Sequence, residues 1–233
     1  MRLELEEVRR GAEERGAAVD LPCFHKATSI VLNLGLLDLA LPPSGVFAWL
    51  EELQLIDIQL NGQSGLGDLL SSQRCPSLWF LRVSDVRGLD SFNIHSDSLM
   101  CMELLDLHRL PQLTVMAPAL KKLQLFTSKD PRNPELAVAN ISAPQLTSLE
   151  WMDVYYPSSI QFDRIAHLDS LGIHFYILDV EDEEAFEHNR YWLKFLRRYK
   201  HIRSLDLMIS YPPVICTGPY LTENCQAFQI LHF

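Results

Sequence analysis

The chain has 233 residues, 48% of them apolar and 21% charged, the composition of an ordinary globular protein and not of a disordered or low-complexity one. Its formal charge of -10 works against any broad phosphate-binding surface, so nucleic acid is not an expected partner. The richest apolar stretch, residues 30–41, is cut by Asn33, Gly35 and Asp38 and stopped by Pro42, far short of the roughly 18 residues of a membrane span, so no membrane association is expected.

In chain order, residues 1–16 suit a charged helix or the remnant of a linker, with Leu5, Val8 and Ala12 on one face and Glu6 spaced for an ion pair with Arg10. They hold no apolar core of the kind a secretory signal needs, and an intracellular location, cytoplasm or nucleus, is the expectation. The five cysteines (Cys23, Cys75, Cys101, Cys216, Cys225) are odd in number and widely spaced without a C-x-x-C pair, which fits buried reduced thiols better than disulfides or zinc.

From residue 17 onward the chain repeats itself. Pro76-Ser-Leu78-Trp-Phe-Leu81-Arg-Val83, Pro118-Ala-Leu120-Lys-Lys-Leu123-Gln-Leu125 and Pro144-Gln-Leu146-Thr-Ser-Leu149-Glu-Trp151 share the frame P-x-L-x-x-L-x-apolar. Without the proline it recurs as Leu50/Leu53/Leu55, Leu99/Met102/Leu104, Leu168/Leu171/Ile173 and Ile202/Leu205/Leu207, and more weakly as Ala27/Ile30/Leu32 and Cys225/Phe228/Ile230. Successive copies are 21 to 28 residues apart, with one step of 34, mostly the period of a leucine-rich repeat. The last two anchors of each copy alternate with polar residues on a short strand, and stacking such strands in parallel buries the anchors in one core. An α/β leucine-rich-repeat solenoid with a parallel sheet of about eight or nine short strands is therefore expected over residues 17–233.

Between residues 78 and 120 a second series, Leu89/Phe92/Ile94 and Leu110/Leu113/Val115, places apolar triplets every 10 or 11 residues, too few for a helix on the return path. The centre is expected to be β-helix-like, with helices confined to the longer steps. Residues 65–73 put Leu66, Leu69 and Leu70 on one helical face. Residues 182–199 form a stronger helix, acids toward its start and Arg190, Lys194, Arg197 and Arg198 toward its end, with Phe186, Trp192, Leu193 and Leu196 as its buried side. The last copy ends at Ile230 and only three residues follow it, so the domain reads as C-terminally truncated.

Chemistry-bearing motifs are sparse. Gly62-Gln-Ser-Gly65-Leu-Gly67 has neither the Gly-Lys-Ser/Thr ending of a P-loop nor the order of a dinucleotide fingerprint. Cys23 and His25 are expected to stand apart, on opposite faces of a strand, and the histidines form no metal-binding pair, so neither a catalytic nor a metal site is expected, nor any cofactor. The acidic run from Asp179 to Glu187 and the basic cluster from Arg190 to Arg203 read as the two ends of a solvated helix.

The residues flanking the inward anchors should share the face that solenoids use for binding. Among them Phe80, Arg82, Glu103, Lys122, Gln124, Phe126, Glu150 and Met152 are the candidates for contact with a protein ligand, because interface cores favour aromatic, methionine and arginine anchors.

The wording of several stretches, Leu21-Pro-Cys-Phe-His-Lys-Ala-Thr-Ser29, Leu41-Pro-Pro-Ser-Gly-Val-Phe47, Cys75-Pro-Ser-Leu78 and Ile141-Ser-Ala-Pro-Gln-Leu-Thr-Ser-Leu-Glu-Trp151, resembles the repeat region of plant F-box/LRR-repeat proteins, in particular the grass families that also carry an FBD domain. That resemblance implies a non-catalytic protein-binding module, the part that selects substrates for an SCF ubiquitin ligase. It departs from the family in two places. No F-box precedes Leu21, so binding to the Skp1 adaptor is not expected of this chain. The repeat asparagine is also replaced, by Ile58, Val86, Leu107, Ser128 and Val154. Two other readings are a parallel β-helix enzyme acting on carbohydrate, and a regulatory or non-functional fragment uncoupled from the ligase.

Overall fold

The structure, a computed structural model, describes residues 18–60, 65–107, 110–126, 138–153, 157–163, 165, 167–176, 183–199, 201–210 and 228–232. The expected helix over residues 2–15, the thiols of Cys216 and Cys225 and the first half of the Gly62–Gly67 motif lie outside them.

Two sheets face each other across one core. The main sheet runs β1 (Val19–Asp20), β2 (Ser29–Ala40), β3 (Glu52–Gln59), β4 (Phe80–Arg87), β6 (Cys101–Leu105), β8 (Lys122–Phe126), β10 (Ser148–Trp151), β12 (Ser170–Tyr176), β13 (Ser204–Ser210) and β14 (Phe228–His232). The return sheet holds β5 (Phe92–His95), β7 (Gln112–Met116), β9 (Val138–Ser142) and β11 (Ile160–Asp163), so the central coils are closed by strands on both sides, as the 10- to 11-residue spacing requires. Pairing is parallel throughout except at β14, which runs antiparallel to β13. Cys225/Phe228/Ile230 is therefore not a ninth parallel coil. The alternation of apolar residues that marks a strand is the same in either direction, and only the pairing separates the two.

The repeat frame has a local cause. In Cys75-Pro76-Ser77-Leu78 the Leu78 N–H donates to the Cys75 carbonyl (3.3 Å), and the same bond recurs from Leu120 to Ala117 and from Leu146 to Ala143 (3.1 Å each). Each proline is the second residue of a turn, where its fixed φ fits. Phe24 to Ala27 and Phe47 to Leu50 make the turn without proline. The first anchor then points inward, and Leu50, Leu78, Leu99, Leu120 and Leu146 are at most 1% exposed. One carbonyl per coil next accepts the two N–H groups that open the following strand: Glu51 takes Trp79 and Phe80, Trp79 takes Met100 and Cys101, Met100 takes Lys121 and Lys122, and Lys121 takes Thr147 and Ser148. These bonds lock neighbouring coils in register.

The missing asparagine is explained by the residue before it. Asp57, Asp85 and Asp106 have φ of 54°, 53° and 49°, a left-handed conformation that aspartate's short polar side chain tolerates. The strand kinks there, and Ile58, Val86 and Leu107 behind it are fully buried.

The helical expectations fare unequally. The first helix, α1 (Leu66–Leu69), is a single turn rather than nine residues. Ser71 Oγ donates to the Asp68 carbonyl at 2.7 Å, the local competition by which serine ends helices. The second, α2 (Glu183–Arg198), is close to the expected range. Its buried side is carried by Trp192 and Phe195, with Tyr199 just past its end and Leu196 at the margin, while Leu193 is 50% exposed and not part of it.

Candidate protein-binding face

The strands of the main sheet alternate half-buried and buried residues, i-B-i-B, so every second side chain leaves the core on the outer face. Register turns this alternation into three rows across the solenoid. The first carries Glu52, Phe80, Cys101, Lys122, Ser148, Ser170 and Ser204; the second Gln54, Arg82, Glu103, Gln124, Glu150, Gly172 and Asp206. Ile56, Ser84, Leu105 and Phe126 follow in the third, with Met152 just past the end of β10. The sequence candidates Phe80, Arg82, Glu103, Lys122, Gln124, Phe126 and Glu150 thus stand together, half-buried, on adjacent strands of one face.

Met152 is the exception, only 5% exposed. Its Cε and the Cγ of Glu150 lie over Gly172, where a Cβ would meet them at 3.4 and 2.9 Å. A glycine on the neighbouring strand opens a gap that the methionine and the stem of the glutamate fill, so Met152 packs instead of presenting itself to a ligand. Sequence reasoning missed Trp79, 39% exposed, whose ring lies 5.7 Å from that of Phe80 and widens the aromatic edge where the strands begin. Its position just before the alternating segment hid it.

Electrostatics divides the face. The Glu103 carboxylate lies 3.7 Å from Arg82 Nη1 and 3.7 Å from Lys122 Nζ, its side chain 15% exposed against 39% and 44% for the two cations. Burial pushes the Glu150 carboxyl up; Lys122 opposes the shift, and the negative charges of Asp206 and Glu103 add to it. Burial likewise raises the Cys101 thiol, with Glu103 adding and Lys122 opposing, which keeps that sulfur in the unreactive thiol form.

The other two described cysteines, Cys75 and Cys23, are structural. Cys75 is fully buried, its thiol donates to the Leu69 carbonyl at 3.1 Å, and burial pushes it up to about 12. Cys23 and His25 do not stand apart: the segment is a turn, not a strand, and Sγ lies 3.9 Å from Nδ1. Residues two apart in a strand would also have shared a face. The same Sγ donates to the Val46 carbonyl at 3.5 Å and packs against Gly45, where a Cβ would come within 2.8 Å of it. Among the described residues no group of three or more His, Cys, Asp or Glu is placed to hold a metal ion, and no helix is long and apolar enough to cross a membrane.

Parallel coils carrying the L-x-x-L-x-L frame, with strands on one side and strands or a helix on the other, define a leucine-rich-repeat module, a class of fold that generally mediates protein binding. Residues 4–167, more than half of the chain, match the family described as FBD-associated F-box protein At5g56370, LRR repeats, and the chain belongs to that family. No curated protein and no solved structure matches it.

Proposed function

We propose that the chain is a non-catalytic recognition module, whose main-sheet face binds a protein ligand in the manner of the substrate-selecting part of an SCF ubiquitin ligase. The observation that carries this reading is the gathering of Phe80, Arg82, Glu103, Lys122, Gln124, Phe126 and Glu150 on one half-exposed sheet face, opposite the side on which the return strands close the core. Mixed charge, aromatic rings and an arginine are what interface cores use. Membership of a family built on F-box proteins supports ligand selection for ubiquitination as the biological setting. Adaptor binding is not part of the reading for these residues, because coils occupy the chain from β2 to β13. An intracellular location is part of the same reading.

The test is a fusion of the chain to an adaptor-binding F-box, expressed in cells and followed by quantitative proteomics. A set of proteins should fall in a proteasome-dependent way, and should recover when Arg82→Glu and Phe126→Ala are introduced together. An unchanged set would remove the face from the reading. Stoichiometric co-purification of Skp1 with the unfused chain would overturn the exclusion of adaptor binding from this reading.

A further inference from the structure

The corner of the main-sheet face where β3 and β4 begin is built differently from the rest of the repeat. The residue before the first anchor is Ser77, Ser98, Ala119 and Gln145 in the next four coils, whereas here it is Trp49, 64% exposed and the most exposed large apolar side chain among the described residues. Trp49 is not loose. Its turn closes with the Leu50 N–H donating to the Phe47 carbonyl at 3.1 Å, Phe47 and Leu50 are each 1% exposed, and Ser77 Oγ donates to the Ala48 carbonyl at 2.9 Å. Arg74 holds the approach to that turn, donating from Nε to the Gly45 carbonyl at 3.0 Å and from Nη2 to the Pro42 carbonyl at 2.9 Å. One strand on, Trp79 and Phe80 stand with ring centroids 5.7 Å apart at 55°, and the Glu51 carbonyl accepts both their N–H groups. Glu52 is the register partner of Phe80. Glu51 is exposed and Glu52 half-buried, and among the described residues neither carboxylate has an ion-pair partner. The cations closest in register do not serve: Lys26, three residues before Ser29 of β2, lies beyond ion-pair distance of both, and Arg82 pairs with Glu103 instead.

We propose that this corner receives a lysine or arginine side chain of the protein ligand, its cation over the rings of Trp49, Trp79 and Phe80 and within reach of Glu51 and Glu52. The proposal rests on the reading of the main-sheet face as the ligand site and names the chemistry that one corner of it selects. Leaving an indole in water forgoes the gain of burying it, and the repeat frame does not ask for one, since Ser77, Ala119 and Gln145 sit in the same turn. The ring faces carry a negative potential that attracts a cation, and contact with them strips water from the cation and so strengthens its pairing with the carboxylates. Two carboxylates without ion-pair partners, in a chain of formal charge -10, supply the complement. An acidic or neutral side chain gains neither contribution, so the corner discriminates by charge as well as by apolar fit.

Panning a library of random short peptides against the full chain tests this, with affinities of labelled winners read by fluorescence anisotropy and thermal melts verifying that each variant is folded. Winners should carry arginine or lysine. A chain this acidic draws basic peptides wherever they land, so the decisive variants are the ones that keep its charge. Trp49→Ser with Trp79→Thr puts in residues that other coils carry at the same positions, Ser77 and Thr147, and should weaken winners by about fivefold or more; either change alone serves if the pair does not fold. Glu51→Gln with Glu52→Gln should weaken them by a similar factor, and so should replacing the winner's arginine by citrulline or acetylating its lysine, with the protein unchanged. Winners that respond to the glutamate changes but not to the tryptophan changes report the overall charge alone and overturn the proposal. Winners weakened by Arg82→Glu or Phe126→Ala but indifferent at the corner overturn it too and leave the ligand-site reading standing. Winners indifferent to every substitution on the face, or a library that yields none, overturn both.

Discussion

Trp151 of β10 and Phe162 of β11 meet edge to face, ring centroids 5.1 Å apart at 82°, and through that contact the two sheets share one core. Phe162 continues to Phe195 of α2 at 5.6 Å, and Phe195 to Trp192 at 5.3 Å, so the same chain of rings seats the helix where the return strands stop. Trp151→Ala should cost about 3–5 kcal/mol, the usual range for emptying a buried aromatic site, and should also loosen α2. Leu193→Ala, on the solvent side of the helix, should stay within about 0.5 kcal/mol. Urea unfolding with near-UV circular dichroism checks both; similar losses for the two would mean that α2 is seated on its other side.

The division between core and face gives a paired prediction. Leu81 and Leu123 are fully buried register partners of Met102, whereas Arg82 and Phe126 are half-exposed one and three residues further along their strands. Leu81→Ala and Leu123→Ala should each lose about 2–5 kcal/mol of stability. Arg82→Ala and Phe126→Ala should lose much less stability but weaken ligand binding by more than about 1 kcal/mol. The reverse pattern in denaturant titrations would invert inside and outside.

What the sequence made legible is what a single coil encodes by itself. Pro76, Pro118 and Pro144 mark turns whose hydrogen bonds close within four residues, and the alternation after them places each side chain without reference to any other coil. Features set by neighbours were not legible. Met152 is buried because Gly172 stands on the adjacent strand, a relationship that appears only once register is known. Leu193 faces out and Phe195 in because Phe162 waits on one side of α2, whereas the helix's own periodicity allows either. The left-handed aspartates were overlooked because the repeat frame directs attention to the next position, where asparagine is usual.

Gly88 offers a backbone test. It follows β4 at φ 76°, and a Cβ there would run into the carbonyl of Leu60, whose N–H donates to the Arg87 carbonyl at 2.8 Å. Gly88→Ala therefore meets both a left-handed conformation, about 1–2 kcal/mol unfavourable, and a backbone clash that no rotamer relieves. A clear drop in melting temperature is expected. Gly65→Ala, with open space around its would-be Cβ, should have little effect, and equal drops would refute the steric account.

The last prediction concerns pH. The Glu150 carboxyl is raised above its ordinary value first by burial and then by Asp206 and Glu103, with Lys122 opposing. Between the ordinary value and the raised one, the folded state holds more protons than the unfolded, so this group's contribution to stability falls as pH rises through that window. The penalty is complete above the folded-state value and absent below the unfolded one. Glu150→Gln keeps the stem that covers Gly172 and removes the charge. It should raise the melting temperature at about pH 7, with the gain shrinking toward zero at about pH 3, below the ordinary value, where the carboxyl is protonated in both states. Lys122→Met, which removes the opposing cation found among the described residues, should enlarge that gain. A gain that persists at low pH would show that its source is not the charge, and a loss at neutral pH would show that the ionised Glu150 stabilises the fold.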